Sequence, residues 1–276
     1  MSVTVARTQV ARSTPGVAFV ALLMRDVAVL RKNLVEFVIR SVMQPLLFVF
    51  VFTYVFPKIG FGVGGSGAGE TVFSSLLVPG VVAIACMFQG VQAVALPLVQ
   101  EFGFTREIED RVMAPLPIWA LATEKIVAGG LQGMFAAVVV FPMAAFIPST
   151  PVHLDPQWIW VFTLLPLTAF TGAALGLVMG TRVEPRRVPL LFGVVVIPMT
   201  FLGATYYPWA LLSGIKWLQL LVLINPLVYM SEAMRAAFTP DLVPHMQIWV
   251  IYVALIGFTL VLGWIGIEGF RKRVLS

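Results

Sequence analysis

Of the residues able to do chemistry, two groups stand out by type and spacing. Glu232 and Arg235 lie three apart in INPLVYMSEAMRAAF, an otherwise apolar stretch, so on a helix they share one face and can pair. The second group is Gln100 to Pro117, QEFGFTREIEDRVMAPLP, where Glu101, Arg106, Glu107, Glu109, Asp110 and Arg111 crowd between two long apolar runs. Ile108, Val112 and Met113 fall at helical spacing and line one side of a short helix, which Pro115 and Pro117 then end. A helix this charged cannot lie in hydrocarbon and must sit in water at a membrane face, within reach of a soluble partner. The plainer reading of the same charges is a solvated loop.

Catalytic motifs are absent. There is no G-x-x-x-x-G-K-[ST] to hold nucleotide phosphates, no G-x-S-x-G and no H-E-x-x-H. His153 with Asp155, and His245 with Asp241, each offer one histidine and one carboxylate, short of the three or four ligands zinc takes. The single Cys86 excludes an internal disulfide. No catalytic residue, metal or cofactor is expected on this chain. Glu36, Arg40, Glu124 and Lys125 fall near span ends, where long side chains reach the headgroups. No ionisable group sits clearly at the midplane, where a proton-driven carrier would need one. Energy must come from elsewhere, or the protein is passive. The uncharged Gln89, Gln92, Gln132, Thr168 and Thr171 are the candidate pathway residues, and their apolar surroundings favour amphipathic cargo over small charged solutes.

The elements that must position these residues are membrane helices. Of 276 residues, 59% are hydrophobic and only 11% charged, with mean hydropathy +0.96. Soluble domains carry about a quarter charged residues, and at roughly 20 apolar residues per crossing the length allows about six spans. The net charge of +5 is spread as short basic clusters between apolar runs, which encodes topology rather than a nucleic-acid face. The N-terminal stretch does not lead into a signal-peptide core, because Arg25 and Asp26 break the first apolar run.

In chain order, 17–33 reads as an amphipathic helix lying in the membrane interface, or else a frayed extension of the first span. Spans are expected at about 34–57, 73–99, 118–147, 157–180, 189–205 and 247–268, forming one transmembrane domain over 1–276. Between the last two, 206–244 contains Lys216 and an Asn225-Pro226 break. If it crossed fully, the tail Arg271, Lys272 and Arg273 would lie opposite the other arginine clusters; if it dips in and returns, they share one side. The positive-inside rule therefore predicts six spans, both termini cytoplasmic and a re-entrant outer hairpin. Gly172, Gly176 and Gly180, and Gly129 with Gly133, recur every four residues, a spacing that lets helices approach closely in lipid.

Several segments carry a resemblance to a known family: QPLLFVFVFTYVF at Gln44 to Phe56, LLVPGVVA at Leu76 to Ala83, and the charged loop ending RVMAPLP. PMTFLGATYYPW at Pro198 to Trp209 and INPLVYMSEAMRAAF at Ile224 to Phe238 are the most specific. Their order resembles the permease subunit of type 2 ABC exporters, especially the drug-resistance branch typified by daunorubicin exporters. The resemblance implies an all-α permease with six spans, an interfacial N-terminal helix, and two permease copies (identical or paralogous) in the bacterial cytoplasmic membrane. Two copies of a separate ATP-binding subunit would carry the ATP and magnesium. It places Arg106, Glu107, Glu109, Asp110 and Arg111 on a coupling helix that docks that subunit. Tyr206, Tyr207, Pro208, Asn225, Pro226, Glu232 and Arg235 would form the outer gate, with a headgroup-level surface pair as the other reading of Glu232 and Arg235. The expected function is export of a drug, lipid or lipid-like product, with a lipid-linked glycan as the alternative cargo. A passive channel, an ion-coupled carrier and an intramembrane enzyme are the competing classes.

Overall fold

The structure, a computed structural model, describes residues 15–55, 58, 68–105, 116–147, 152–184, 187, 190, 192–242 and 244–275. Among them there is no strand. The helices are α1 (Pro15–Lys32), α2 (Leu34–Val49), α3 (Ala68–Gln100), α4 (Ile118–Phe146), α5 (Trp158–Arg182), α6 (Ile197–Phe201), α7 (Lys216–Leu221), α8 (Pro226–Phe238) and α9 (Ile248–Val274). Two of them run on as π-helical turns, α2 through Phe50–Val55 and α3 through Glu101–Thr105.

Five helices are long and apolar enough to cross a membrane: Leu34–Phe52, Phe73–Gly103, Ile118–Ala144, Trp158–Arg182 and Ile248–Val274. Among the described residues of the stretch expected as a fifth span at 189–205 lies the short apolar helix Phe192–Phe201. At 1.5 Å per residue that reaches about 15 Å, half a hydrocarbon core. It then breaks at Ala204, whose φ of 50° lies in the left-handed region. After a 3₁₀ turn at Trp209–Gly214, the helical pair Lys216–Ile224 and Pro226–Phe238 is bent by 97°, and a sixth crossing arises only if that pair is taken as one broken span.

The bundle is organised around α3, 72% of whose apolar window is buried, against 22% for α9. Small residues explain the depth. Gly176 leaves no room for a Cβ between itself and the backbone of Val91, and Gly90 meets the backbone of Ala173 in the same way. In lipid, where apolar side chains gain nothing by leaving the solvent, this close backbone contact is what associates α3 with α5. Arg273, in the last turn of α9, donates from Nη1 to the carbonyls of Gly180 (3.2 Å), Thr181 (3.3 Å) and Val183 (2.7 Å), caring for groups that the end of α5 would leave unpaired. Its guanidinium also lies 5.1 Å from the centre of the Phe102 ring.

Candidate functional site

At one end of the bundle the segments between α6 and α9 are stitched by one buried ion pair. Asn225 starts α8: its Oδ1 accepts from the Leu227 N–H at 3.0 Å, its Nδ2 donates to the Met199 carbonyl at 2.7 Å, and Pro226 supplies the first helical position. About two to three turns further on, Arg235 Nη1 donates to Glu232 Oε1 at 2.8 Å, and neither side chain has any exposed surface. The pair is therefore internal and does not sit among headgroups. Glu232 Oε1 also accepts from the Trp209 backbone N–H (2.9 Å), and Oε2 from that of Met246 (2.8 Å). Arg235 Nη2 donates to the carbonyls of Thr205 (2.9 Å) and Ala204. Two side chains thus hold the break after α6, the turn before α7, α8 itself and the lead into α9.

The other predicted gate residues border this network. Tyr207 donates to the Phe201 carbonyl at 3.1 Å, Pro208 is buried, and Tyr206 stacks on Phe52 at 5.6 Å between centroids, tying the break to the π-helical end of α2. The histidine–carboxylate pairs regroup: His153, Asp155 and Asp241 line a common cavity of about 450 Å³, whereas His245 Nδ1 lies 2.8 Å from the Met246 carbonyl. Among the described residues no group of three metal-capable side chains forms.

At the opposite end, sequence reasoning missed a long-range cluster. Lys125 donates to Glu101 Oε1 at 3.2 Å and to Asp26 Oδ2 at 3.4 Å, while Arg25 reaches Asp26 Oδ1 at 3.4 Å. Lys125 is 6% exposed and Glu124 only 1%. The expectation that these two reach out to headgroups is corrected: both turn into the protein, and for Lys125 the carboxylates of Asp26 on α1 and Glu101 at the end of α3 offset its desolvation. No local spacing signals contacts between α1, α3 and α4. The cluster borders a cavity of about 590 Å³ between α1, α2, α3 and α4.

The five candidate pathway residues are divided by the structure. Gln92 and Gln132 line this cavity. Gln89 lies beside it, with its Oε1 accepting from Ser41 at 2.9 Å. Thr168 and Thr171 are fully buried away from it, and Thr171 Oγ1 sits 2.6 Å from Thr259 Oγ1 between α5 and α9. Thr171 belongs to helix packing, because a hydroxyl on an apolar helix pairs most readily with a hydroxyl facing it, and Thr168 is buried on the same helix. Arg106, Glu107, Glu109, Asp110 and Arg111 lie outside the described residues.

Residues 17–239, from α1 through α8, match the family described as ABC-2 type transporter. The chain belongs to that family. It is also 29% identical over 169 residues to the inner membrane transport permease YadH of Escherichia coli K12, covering 60% of this chain and 63% of that protein. The same figures hold for the proteins of that name from Escherichia coli O157:H7 and Shigella flexneri. The chain thus spans a little under two thirds of the curated relatives' length. Family membership and the five long apolar helices together make this an integral, multi-pass membrane protein.

Proposed function

We propose that the chain is the membrane permease subunit of an ATP-driven exporter in the bacterial inner membrane. It would work as a pair of permeases with two copies of a separate ATP-binding subunit, moving a drug, lipid or lipid-like product outward. The observation that carries this reading is the family match over 17–239 in a chain with no phosphate-binding motif of its own. The end bearing α1 and the 106–115 segment would then face the cytoplasm, both termini with it, and the hairpin would dip into the outer leaflet without crossing. Arg106, Glu107, Glu109, Asp110 and Arg111 would dock the ATP-binding subunit. The buried Glu232–Arg235 network, with Tyr206, Tyr207, Pro208, Asn225 and Pro226 around it, would serve as the outer gate. Its support is that one ion pair joins four segments, so opening the hairpin requires breaking a desolvated charge pair.

The test is to coexpress the chain with a candidate P-loop ATPase subunit, purify the complex and reconstitute it in vesicles. ATP-dependent accumulation of an amphipathic dye, absent without the ATPase, is the expected result. Transport that needs no ATP and no ATPase would make the protein a channel or ion-coupled carrier instead.

A further inference from the structure

The cavity beside Lys125 combines three features that point to one class of ligand. Its volume of about 590 Å³ is that of a small-molecule site. The charged side chains on its wall are two cations, Arg25 and Lys125, and three carboxylates, Asp26, Glu36 and Glu101. Lys125 is shared by two of those carboxylates, so the mouth favours an added cation and repels an added anion. Deeper in, Gln92 and Gln132 face the cavity and make no hydrogen bond among the described residues. An independent observation continues the polar track. The buried Gln89 Nε2 has no acceptor among the described residues, and it borders a second void that shares Gln92 with the main cavity and has room for about one water. Val29, Leu30, Phe37 and Leu96 supply apolar wall between these polar points. From Glu101 back to Gln92 is about 14 Å of helix axis.

We propose that this cavity binds an ammonium-bearing amphiphile, its cation at the Asp26, Glu36 and Glu101 carboxylates and a hydrogen-bond acceptor about 14 Å along at Gln92 and Gln132. Such a ligand is either the exported cargo or a resident aminophospholipid. Assigning it to cargo rests on the permease reading; the binding itself does not. The ammonium and the carboxylates neutralise one another where hydration is poor, and the ligand's acceptor satisfies amides that the helices leave without partners.

The probe is a dansylated alkylammonium, titrated against the full chain in dodecyl maltoside, with a dansylated alkylsulfonate of equal length as control. Saturable binding is expected for the ammonium and not for the sulfonate. Glu36 is exposed, so Glu36→Gln leaves the packing intact and should weaken ammonium binding about tenfold, or about 1.4 kcal/mol. The double variant Gln92→Leu with Gln132→Leu should weaken the dansylated probe while sparing plain dodecylamine, which has no acceptor. Equal binding of the sulfonate, or affinities unchanged in both variants, overturns the proposal. Displacement by phosphatidylethanolamine identifies a resident lipid, and ATP-driven movement of the probe identifies cargo; either satisfies it. Intact ATP-driven transport with no saturable binding sinks this proposal alone. Intact binding without ATP-driven transport sinks the permease reading alone.

Discussion

Gly80 on α3 lies directly against the backbone of Thr205, and the Thr205 carbonyl that crowds it is the one Arg235 holds from the other side at 2.9 Å. A single oxygen is thereby wedged between the central helix and the buried guanidinium. Any Cβ at position 80 would overlap that oxygen, so Gly80→Ala must push the break at Ala204–Thr205 toward Arg235. Overpacking of this kind costs about 1–3 kcal/mol. The thermal unfolding temperature of the detergent-purified variant should fall, and a wild-type value would mean that the break yields freely.

The ion pair sets a second expectation. Arg235→Ala leaves Glu232 buried with two backbone donors and no cation, and breaking such a pair costs about 3–5 kcal/mol. From the spacing alone, the double change Glu232→Ala with Arg235→Ala should be milder than either single one, since no lone charge remains. The structure alters that expectation, because the Trp209 and Met246 N–H groups both depend on Glu232. The double variant should therefore be sub-additive, with a coupling of about 0.5–3 kcal/mol, yet no better than Arg235→Ala. Urea titration of the three variants measures the cycle, and strict additivity would show that the two side chains act independently. If the network is the gate, the single variants should also raise basal ATPase activity or leak.

Lys125 ties α1 to the bundle. Lys125→Met removes the cation that Glu101 and Asp26 share and should cost about 3–5 kcal/mol of docking. Backbone hydrogen exchange in α1 should accelerate, while α5 and α9 keep their protection. Lys125→Arg should restore most of the wild-type pattern. Unchanged exchange in α1 would mean that its apolar side alone holds it.

Docking of the ATP-binding subunit is tested by reversing two charges outside the described residues. Glu107→Lys with Asp110→Lys should abolish ATP-driven transport while the membrane region still folds, because losing a paired charge in a partner's groove costs about 2–5 kcal/mol. Normal transport by a well-expressed double variant would remove these residues from the docking surface.

What the sequence made legible was whatever depends on near neighbours. The apolar runs marked the long helices to within a few residues, the four-residue glycine spacing marked close-packing faces without naming their partner α3, and the three-residue spacing placed Glu232 beside Arg235. Contacts between distant segments left no such trace. Lys125 and Asp26 are 99 positions apart, and nothing in either neighbourhood says that they meet. Composition likewise treats every polar residue within a span alike, so it could not separate Gln92 and Gln132 on a cavity wall from Thr168 and Thr171 inside a helix contact. The short helix within the expected fifth span reflects a related limit. Hydropathy sees that Leu190 to Thr205 is apolar, but not that a left-handed Ala204, held by a buried arginine, ends the helix early.

Arg273 grips the last carbonyls of α5 and lies over Phe102, in the π-helical turn that leads into the 106–115 segment. Three chain segments therefore meet at one mechanical joint, and a pull on any of them is felt by the other two. The far end of α9 becomes a listening post. If 106–115 docks the ATP-binding subunit, a fluorophore at the exposed Leu275 should register each power stroke without occupying the docking surface.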